Sequence, residues 1–221
     1  MGLRLFLDSA DLQDWHRLWP SGIFCGITTN PTLLRRSQRP CTLRSLEEVT
    51  AAAFALQVRE LHLQAWGSDA IALETCGRSL AALAPGTVKV KIPLTEDGLR
   101  AARSLIDTGI SVTFTACYAT DQVLLASALK ADYVAPYLGR INDQGRDGQS
   151  ELLTMQQALR AVGSSTRLLV ASLREPGEMA ALASGGCDTF TISAKLAHAL
   201  MNNPHTAEAA RQFENDVAAI V

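Results

Sequence analysis

Val88-Lys89-Val90-Lys91-Ile92-Pro93-Leu94-Thr95 reads as a buried strand that breaks at Pro93, with Thr95 placed to start a helix. Side chains alternate along a strand, so Lys89 and Lys91 point one way while Val88, Val90 and Ile92 point the other. A lysine inside an apolar strand is costly, because its charge is poorly solvated there. Burial lowers its pKa and leaves a free amine at neutral pH. A free amine adds to a carbonyl carbon and forms a Schiff base. On an exposed strand face or at a strand end the same two lysines would mean nothing, so the chain around them decides.

Outward from this strand, short apolar runs alternate with longer amphipathic ones. Upstream, strands are expected over residues 3–7, 23–27 and 60–66. The helices between them start at Ser9 and Asp11, run over 46–56, and run over 70–83 with Ser68 as cap. Downstream, strands are expected over 110–115, 132–137, 167–172 and 189–192. Helices over 97–106, 119–129, 149–162, 177–184 and 194–201 separate and follow them, and one more spans 207–220. Eight strands alternating with helices predict a (β/α)8 barrel with an extra C-terminal helix. The alternative is an open doubly wound sheet, but its glycine-rich first turn is missing. The irregular segment 139–148 is polar, glycine-rich and follows the sixth strand, on the face where barrel enzymes carry their loops.

Length and composition agree with one domain spanning residues 1–221. Of 221 residues, 48% are hydrophobic and 19% charged, enough for a large core and too apolar for disorder. A formal net charge of −2 without a basic patch excludes a nucleic-acid partner. No apolar run reaches membrane-spanning length and the first residues do not resemble a secretory signal, so a cytoplasmic protein is expected. Five scattered cysteines make no disulfide framework, and neither they nor the four histidines have metal-ligand spacing, so no metal is expected. Neither a G-x-G-x-x-G nor a phosphate-loop pattern occurs, and no cofactor is expected.

In such a barrel the C-terminal strand ends converge on one mouth. Here they carry Asp8, Thr28 with Thr29 and Asn30, Gln64, Lys91, Thr115, Tyr137 with Arg140, and Ser172 with Arg174. Single hydroxyls could be core groups bonded to backbone, Asp8 could cap a helix, and Asn30 before Pro31 could make a turn. A polar group on almost every strand end fits a catalytic inventory better. Lys91 is the candidate nucleophile, and Asp8 can move protons at sugar hydroxyls. Asn30 can bond a substrate hydroxyl. Gln64, Thr115 and Tyr137 can hold a water that shuttles protons. Arg140, Ser172 and Arg174 can clamp a phosphate.

At these residues the chain resembles the transaldolase family, and within it the small fructose-6-phosphate aldolases. The matching motifs are Leu5-Phe6-Leu7-Asp8-Ser9-Ala10, Gly26-Ile27-Thr28-Thr29-Asn30-Pro31, Val90-Lys91-Ile92-Pro93-Leu94-Thr95, Ala135-Pro136-Tyr137-Leu138-Gly139-Arg140-Ile141 and Ala171-Ser172-Leu173-Arg174, in family order. The resemblance implies a metal-free Schiff-base mechanism, with Lys91 as the Schiff-base lysine and Thr28 and Asn30 among the substrate contacts. Lys89 is a departure, since close relatives carry an apolar residue there. Either it points into the barrel and lowers the pKa of Lys91 by repulsion, or the register differs. Tyr137 and Gln64 match the aldolases, where transaldolases have Phe and Glu. The expected activity is therefore cleavage or synthesis of fructose 6-phosphate from dihydroxyacetone and glyceraldehyde 3-phosphate. Transaldolase transfer of the dihydroxyacetone unit is the alternative, and a non-catalytic sugar-phosphate binder a further one. The resemblance also implies a homo-oligomer, pentamer or decamer, built through the C-terminal helix.

Overall fold

In the computed structural model, which describes residues 2–220, eight parallel strands close into a barrel in chain order. They are β1 (Arg4–Asp8), β2 (Gly26–Thr28), β3 (Leu61–Gln64), β4 (Val88–Pro93), β5 (Val112–Cys117), β6 (Tyr133–Pro136), β7 (Arg167–Val170) and β8 (Thr189–Ser193). The seam is the pairing of β1 with β8, from Arg4 opposite Thr189 to Asp8 opposite Ser193. This closure excludes the open doubly wound sheet. The helices are α1 (Leu12–Leu18), α2 (Pro31–Arg36), α3 (Leu43–Ala55), α4 (Ala70–Leu83), α5 (Glu96–Asp107), α6 (Gln122–Ala128), α7 (Leu138–Asn142), α8 (Gly148–Ala161), α9 (Pro176–Ser184), α10 (Ala194–Met201) and α11 (Pro204–Ile220).

β4 shows why this sequence makes this architecture. Val88, Val90 and Ile92 are buried in the core between sheet and helices, beside Ala102 and Leu105 of α5. Each such burial contributes about 1.5–3 kcal/mol. The alternate residues, Lys89 and Lys91, face the barrel interior, as the two-residue period requires. Pro93 ends the strand, and the Thr95 hydroxyl accepts from Gly98 N at 3.1 Å to cap α5. The interior has its own small core of Phe6, Tyr133, Ala135 and Leu169. Phe6 lies across the barrel only because Gly26 faces it: a Cβ there would come within 2.6 Å of its ring.

Three local expectations need correction. The second strand is Gly26–Thr28 rather than 23–27, because Ile23, 44% exposed, follows a left-handed turn at Gly22 and stays outside the sheet. Residues 139–148 are not all irregular, since α7 occupies Leu138–Asn142. Ser68 does not cap the fourth helix; Asp69 does, accepting from Ala72 N at 2.8 Å. The short helix α2, absent from the sequence reading, starts at Pro31 with Asn30 as cap. Residues 201–220, which include all of α11, are exposed. None of the helices is long and apolar enough to cross a membrane, among the described residues.

Candidate active site

The C-terminal ends of the strands surround a cavity of about 660 Å³ lined by Asp8, Thr28, Asn30, Gln64, Lys91, Thr115, Tyr137, Arg140, Ser172 and Arg174. Ten of the eleven residues named at the strand ends are therefore brought together, and the eleventh, Thr29, meets Lys91 through its backbone carbonyl. Arg36, Asp143, Thr191 and Ser193 line it as well and were missed. Their signal was weak: Arg36 sits on a helix not foreseen, Asp143 in a segment read as loop, and Thr191 and Ser193 on β8, where no site residue was expected.

Lys91 stands on the barrel side of β4, only 7% exposed. Its Nζ donates to the carbonyl oxygen of Thr29 at 2.8 Å. Burial lowers its pKa from the ordinary lysine value, and the charge of Asp8 opposes that fall. Asp8, at the end of β1, is raised, first by burial and against the pull of Lys91, Thr28 and Arg140. Its Oδ1 accepts from the Thr28 hydroxyl at 2.6 Å, and Thr28 in turn meets Thr191 at 2.6 Å. A less solvated amine and a carboxylate held by a hydroxyl thus share one cavity. Such a pair can exchange protons with a bound substrate.

Lys89 behaves differently. Its Nζ donates to Ser111 Oγ at 3.1 Å and to the Gly86 carbonyl at 3.4 Å, towards the opposite mouth of the barrel. The register is the regular one, with Lys91 opposite Gln64 and Thr113, so no shift need be invoked. Nor does repulsion from Lys89 set the Lys91 pKa, which follows from burial and Asp8.

Gln64 uses both amide protons on backbone, donating to the carbonyls of Lys91 at 2.9 Å and Ala65 at 3.1 Å. Its Oε1 accepts from the Thr115 hydroxyl at 3.1 Å. Tyr137 Oη accepts from Ala116 N at 3.2 Å. That N–H faces the phenol because Ala116 has φ of 56°, in the left-handed region, where β5 also shifts register against β6. Burial raises the phenol pKa against the opposing Ala116 N–H and Arg140 charge, so Tyr137 stays protonated at neutral pH and can donate. Asn30 serves both readings at once: its Oδ1 caps α2 at Leu33 N, 3.0 Å away, and the residue lines the cavity.

The arginines sit at the rim. Arg140 lies over the Tyr137 ring, 4.7 Å from its centroid. Arg174 forks onto Asp143 with contacts of 2.8 and 2.5 Å. Ser172, at φ of 62°, turns its carbonyl to Gly139 N at 3.0 Å. Gly139 is required there, since a Cβ would lie 2.7 Å from both the Ser172 oxygen and Arg174 Nε. Among the described residues no group of three or more His, Cys, Asp or Glu is placed to hold a metal ion.

The family model for Transaldolase/Fructose-6-phosphate aldolase matches residues 5–220. This chain belongs to the transaldolase/fructose-6-phosphate aldolase family. It is accordingly an enzyme, built on the barrel common to that family. Its relatives include a probable transaldolase of Caulobacter sp. (strain K31), 36% identical over 98% of this chain and 97% of the relative. Another, from Sorangium cellulosum (strain So ce56), is 34% identical over 99% and 98%. A third, from Hyphomonas neptunium, is 33% identical over 97% and 96%. A solved structure described as "Native KDPGal structure" superposes with a TM-score of 0.61 over 87% of this chain and 83% of that one. At 11% identity it speaks to the fold alone. The motifs around Asp8, Asn30, Lys91, Tyr137 and Arg174 all fall inside the family match, and all face one cavity.

Proposed function

We propose that this family member is a Schiff-base enzyme that breaks a ketose phosphate between C3 and C4 and passes the dihydroxyacetone unit to an aldose phosphate, as a transaldolase does. The reading rests chiefly on Lys91, a buried amine of lowered pKa beside Asp8. Neutral Lys91 adds to the C2 carbonyl, and loss of water leaves an iminium. Asp8 takes the proton from the C4 hydroxyl as the C3–C4 bond breaks, and its electron pair moves into the iminium to give an enamine. The aldose phosphate departs. The enamine carbon then attacks the aldehyde of the acceptor, Asp8 returns the proton, and water releases the new ketose phosphate. Arg140, Ser172 and Arg174 hold the phosphate, with Asp143 giving way on Arg174, and Thr28 and Asn30 hold donor hydroxyls. The proposed enzyme works in the cytoplasm on small sugar phosphates, as a homo-oligomer joined through α11, without cofactor or metal.

Transfer comes first because the relatives are named probable transaldolase. The sequence alone had put release of free dihydroxyacetone first. One observation keeps that fructose-6-phosphate aldolase reading as the second: the Thr115 hydroxyl donates to Gln64 Oε1 at 3.1 Å, and both line the Lys91 cavity together with Tyr137. A water held there can protonate the enamine and free the three-carbon unit. Fructose 6-phosphate is supplied with and without erythrose 4-phosphate as acceptor. A transaldolase turns over only with the acceptor and otherwise stops near one equivalent of glyceraldehyde 3-phosphate per subunit. Many equivalents of dihydroxyacetone without acceptor, lost in Tyr137→Phe, establish the aldolase instead. No cleavage under either condition contradicts both readings.

A further inference from the structure

The connection between β5 and α6 carries a tyrosine that none of the roles above uses. Tyr118 Oη accepts a hydrogen bond from Arg140 Nη1 at 3.2 Å. Its ring stands edge to face against Tyr137, with centroids 5.5 Å apart and planes at 84°. Arg140 itself lies over the Tyr137 ring at 4.7 Å. Two tyrosines and one arginine thus form a single packed unit, of which only Tyr137 and Arg140 reach the cavity.

The connection is firmly held. Gln122 Oε1 accepts from Tyr118 N at 2.8 Å and from Ala119 N at 3.1 Å, fixing the turn in which Tyr118 sits. Two residues earlier, Ala116 N donates to the Tyr137 phenol. One segment therefore grips the phenol oxygen from one side and the guanidinium from the other. An exposed arginine ordinarily loses rotamer freedom when it seizes an anion. An arginine already held by a hydroxyl and an aromatic face has less to lose. Arg174, by contrast, is held by a carboxylate that competes with any incoming phosphate. Arg140 feels the Asp143 charge as well, but its hydrogen bond and its stack are to the two neutral tyrosines.

We propose that Tyr118 is a positioning residue that holds Arg140 over the Tyr137 ring, and that through this contact the enzyme favours phosphorylated over unphosphorylated aldehyde acceptors. The proposal rests on the reading of Arg140 as a phosphate contact. Tyr118 itself lies outside the cavity lining and touches neither phosphate nor reacting carbons.

The test is acceptor kinetics at saturating fructose 6-phosphate, with erythrose 4-phosphate and erythrose compared. Tyr118→Phe keeps the ring and its stack and removes only the hydroxyl. It is expected to raise KM for erythrose 4-phosphate by roughly tenfold, the worth of one hydrogen bond to a charged group. KM for erythrose stays put, so the preference for phosphate shrinks. In an Arg140→Met background, Tyr118→Phe is expected to change nothing further, because its target is gone. A wild-type preference that Tyr118→Phe leaves intact overturns the role of Tyr118 while sparing the clamp. Equal losses with both acceptors also overturn it, since that is the mark of a general structural effect. A wild type that ignores the phosphate removes the clamp reading and this proposal with it.

Discussion

Lys91 joins two circumstances seldom met in one lysine. It is almost fully enclosed, and the carboxylate of Asp8 in the same cavity acts on its charge. The two act in opposite directions, burial lowering the amine pKa and Asp8 raising it. Activity that needs the neutral amine must rise as pH climbs through this lowered pKa. Removing the carboxylate removes the upward contribution. Asp8→Asn is therefore expected to move the acid limb of Schiff-base formation to lower pH, and to slow carbon–carbon cleavage by roughly 10²–10⁴-fold through loss of proton transfer. Borohydride trapping across pH measures the first effect and steady-state cleavage the second. A limb that stays in place, or moves to higher pH, contradicts the pairing. Strand parity alone placed Lys89 and Lys91 on one face, and that much was legible. Their separation was not. Lys89 is drawn to the opposite mouth by Ser111 and Gly86, partners supplied by other connections and invisible in a two-residue pattern.

At the scale of elements, β3 carries a second buried arrangement beneath the site. His62 is fully buried, 4.9 Å from the Phe6 ring and 5.1 Å from the Tyr133 ring, and its Nδ1 meets the Thr113 hydroxyl at 3.0 Å. Its Nε2 lies 3.6 Å from Glu60, too far for a hydrogen bond, and burial pushes its pKa down to about 4 from 6.5. Between those values the unfolded chain binds a proton that the folded chain refuses, so stability is lost as pH falls from 6.5 towards 4. Glu60 is lowered to about 2 from 4.5, against the opposing effect of burial, by the nearby His62 ring, by the Tyr133 hydroxyl that donates to it at 2.8 Å, and by the Arg4 charge. Its contribution is present above pH 4.5 and lost as pH falls towards 2. His62→Leu is expected to flatten the fall in melting temperature between pH 6.5 and 4, whatever its effect at neutral pH. An unchanged slope excludes His62 as the source. Element order was readable throughout, since each strand is a short apolar run between amphipathic ones. The missed pieces are α2, α7 and the early stop of β7 at Val170 rather than Ser172. Helices of six and five residues show too little periodicity to read. Ser172 leaves the sheet through a left-handed backbone conformation that its neighbours impose and its own type does not announce.

For the whole molecule, ten site residues scattered from Asp8 to Arg174 meet because a parallel barrel sends every strand end to one mouth. That convergence made the inventory legible once the strands were counted. The Asp143 pairing of Arg174 and the Tyr118 support of Arg140 depend on side-chain placement and were not legible. α11 leaves the barrel with Phe213 68%, Val217 54% and Ile220 85% exposed, at spacings that set them along one helix face. A chain ended after Asn203 is expected to shift from oligomer to monomer by light scattering while its barrel still unfolds in one cooperative thermal transition. A full-length chain that is already monomeric contradicts the proposed assembly. Covalent attachment of the donor at Lys91 can be read out chemically. The enzyme is incubated with fructose 6-phosphate, reduced with borohydride, digested, and mapped by mass spectrometry. A three-carbon adduct is expected on the peptide bearing Lys91, absent from Lys91→Met. An adduct on Lys89, or one that survives in Lys91→Met, contradicts it.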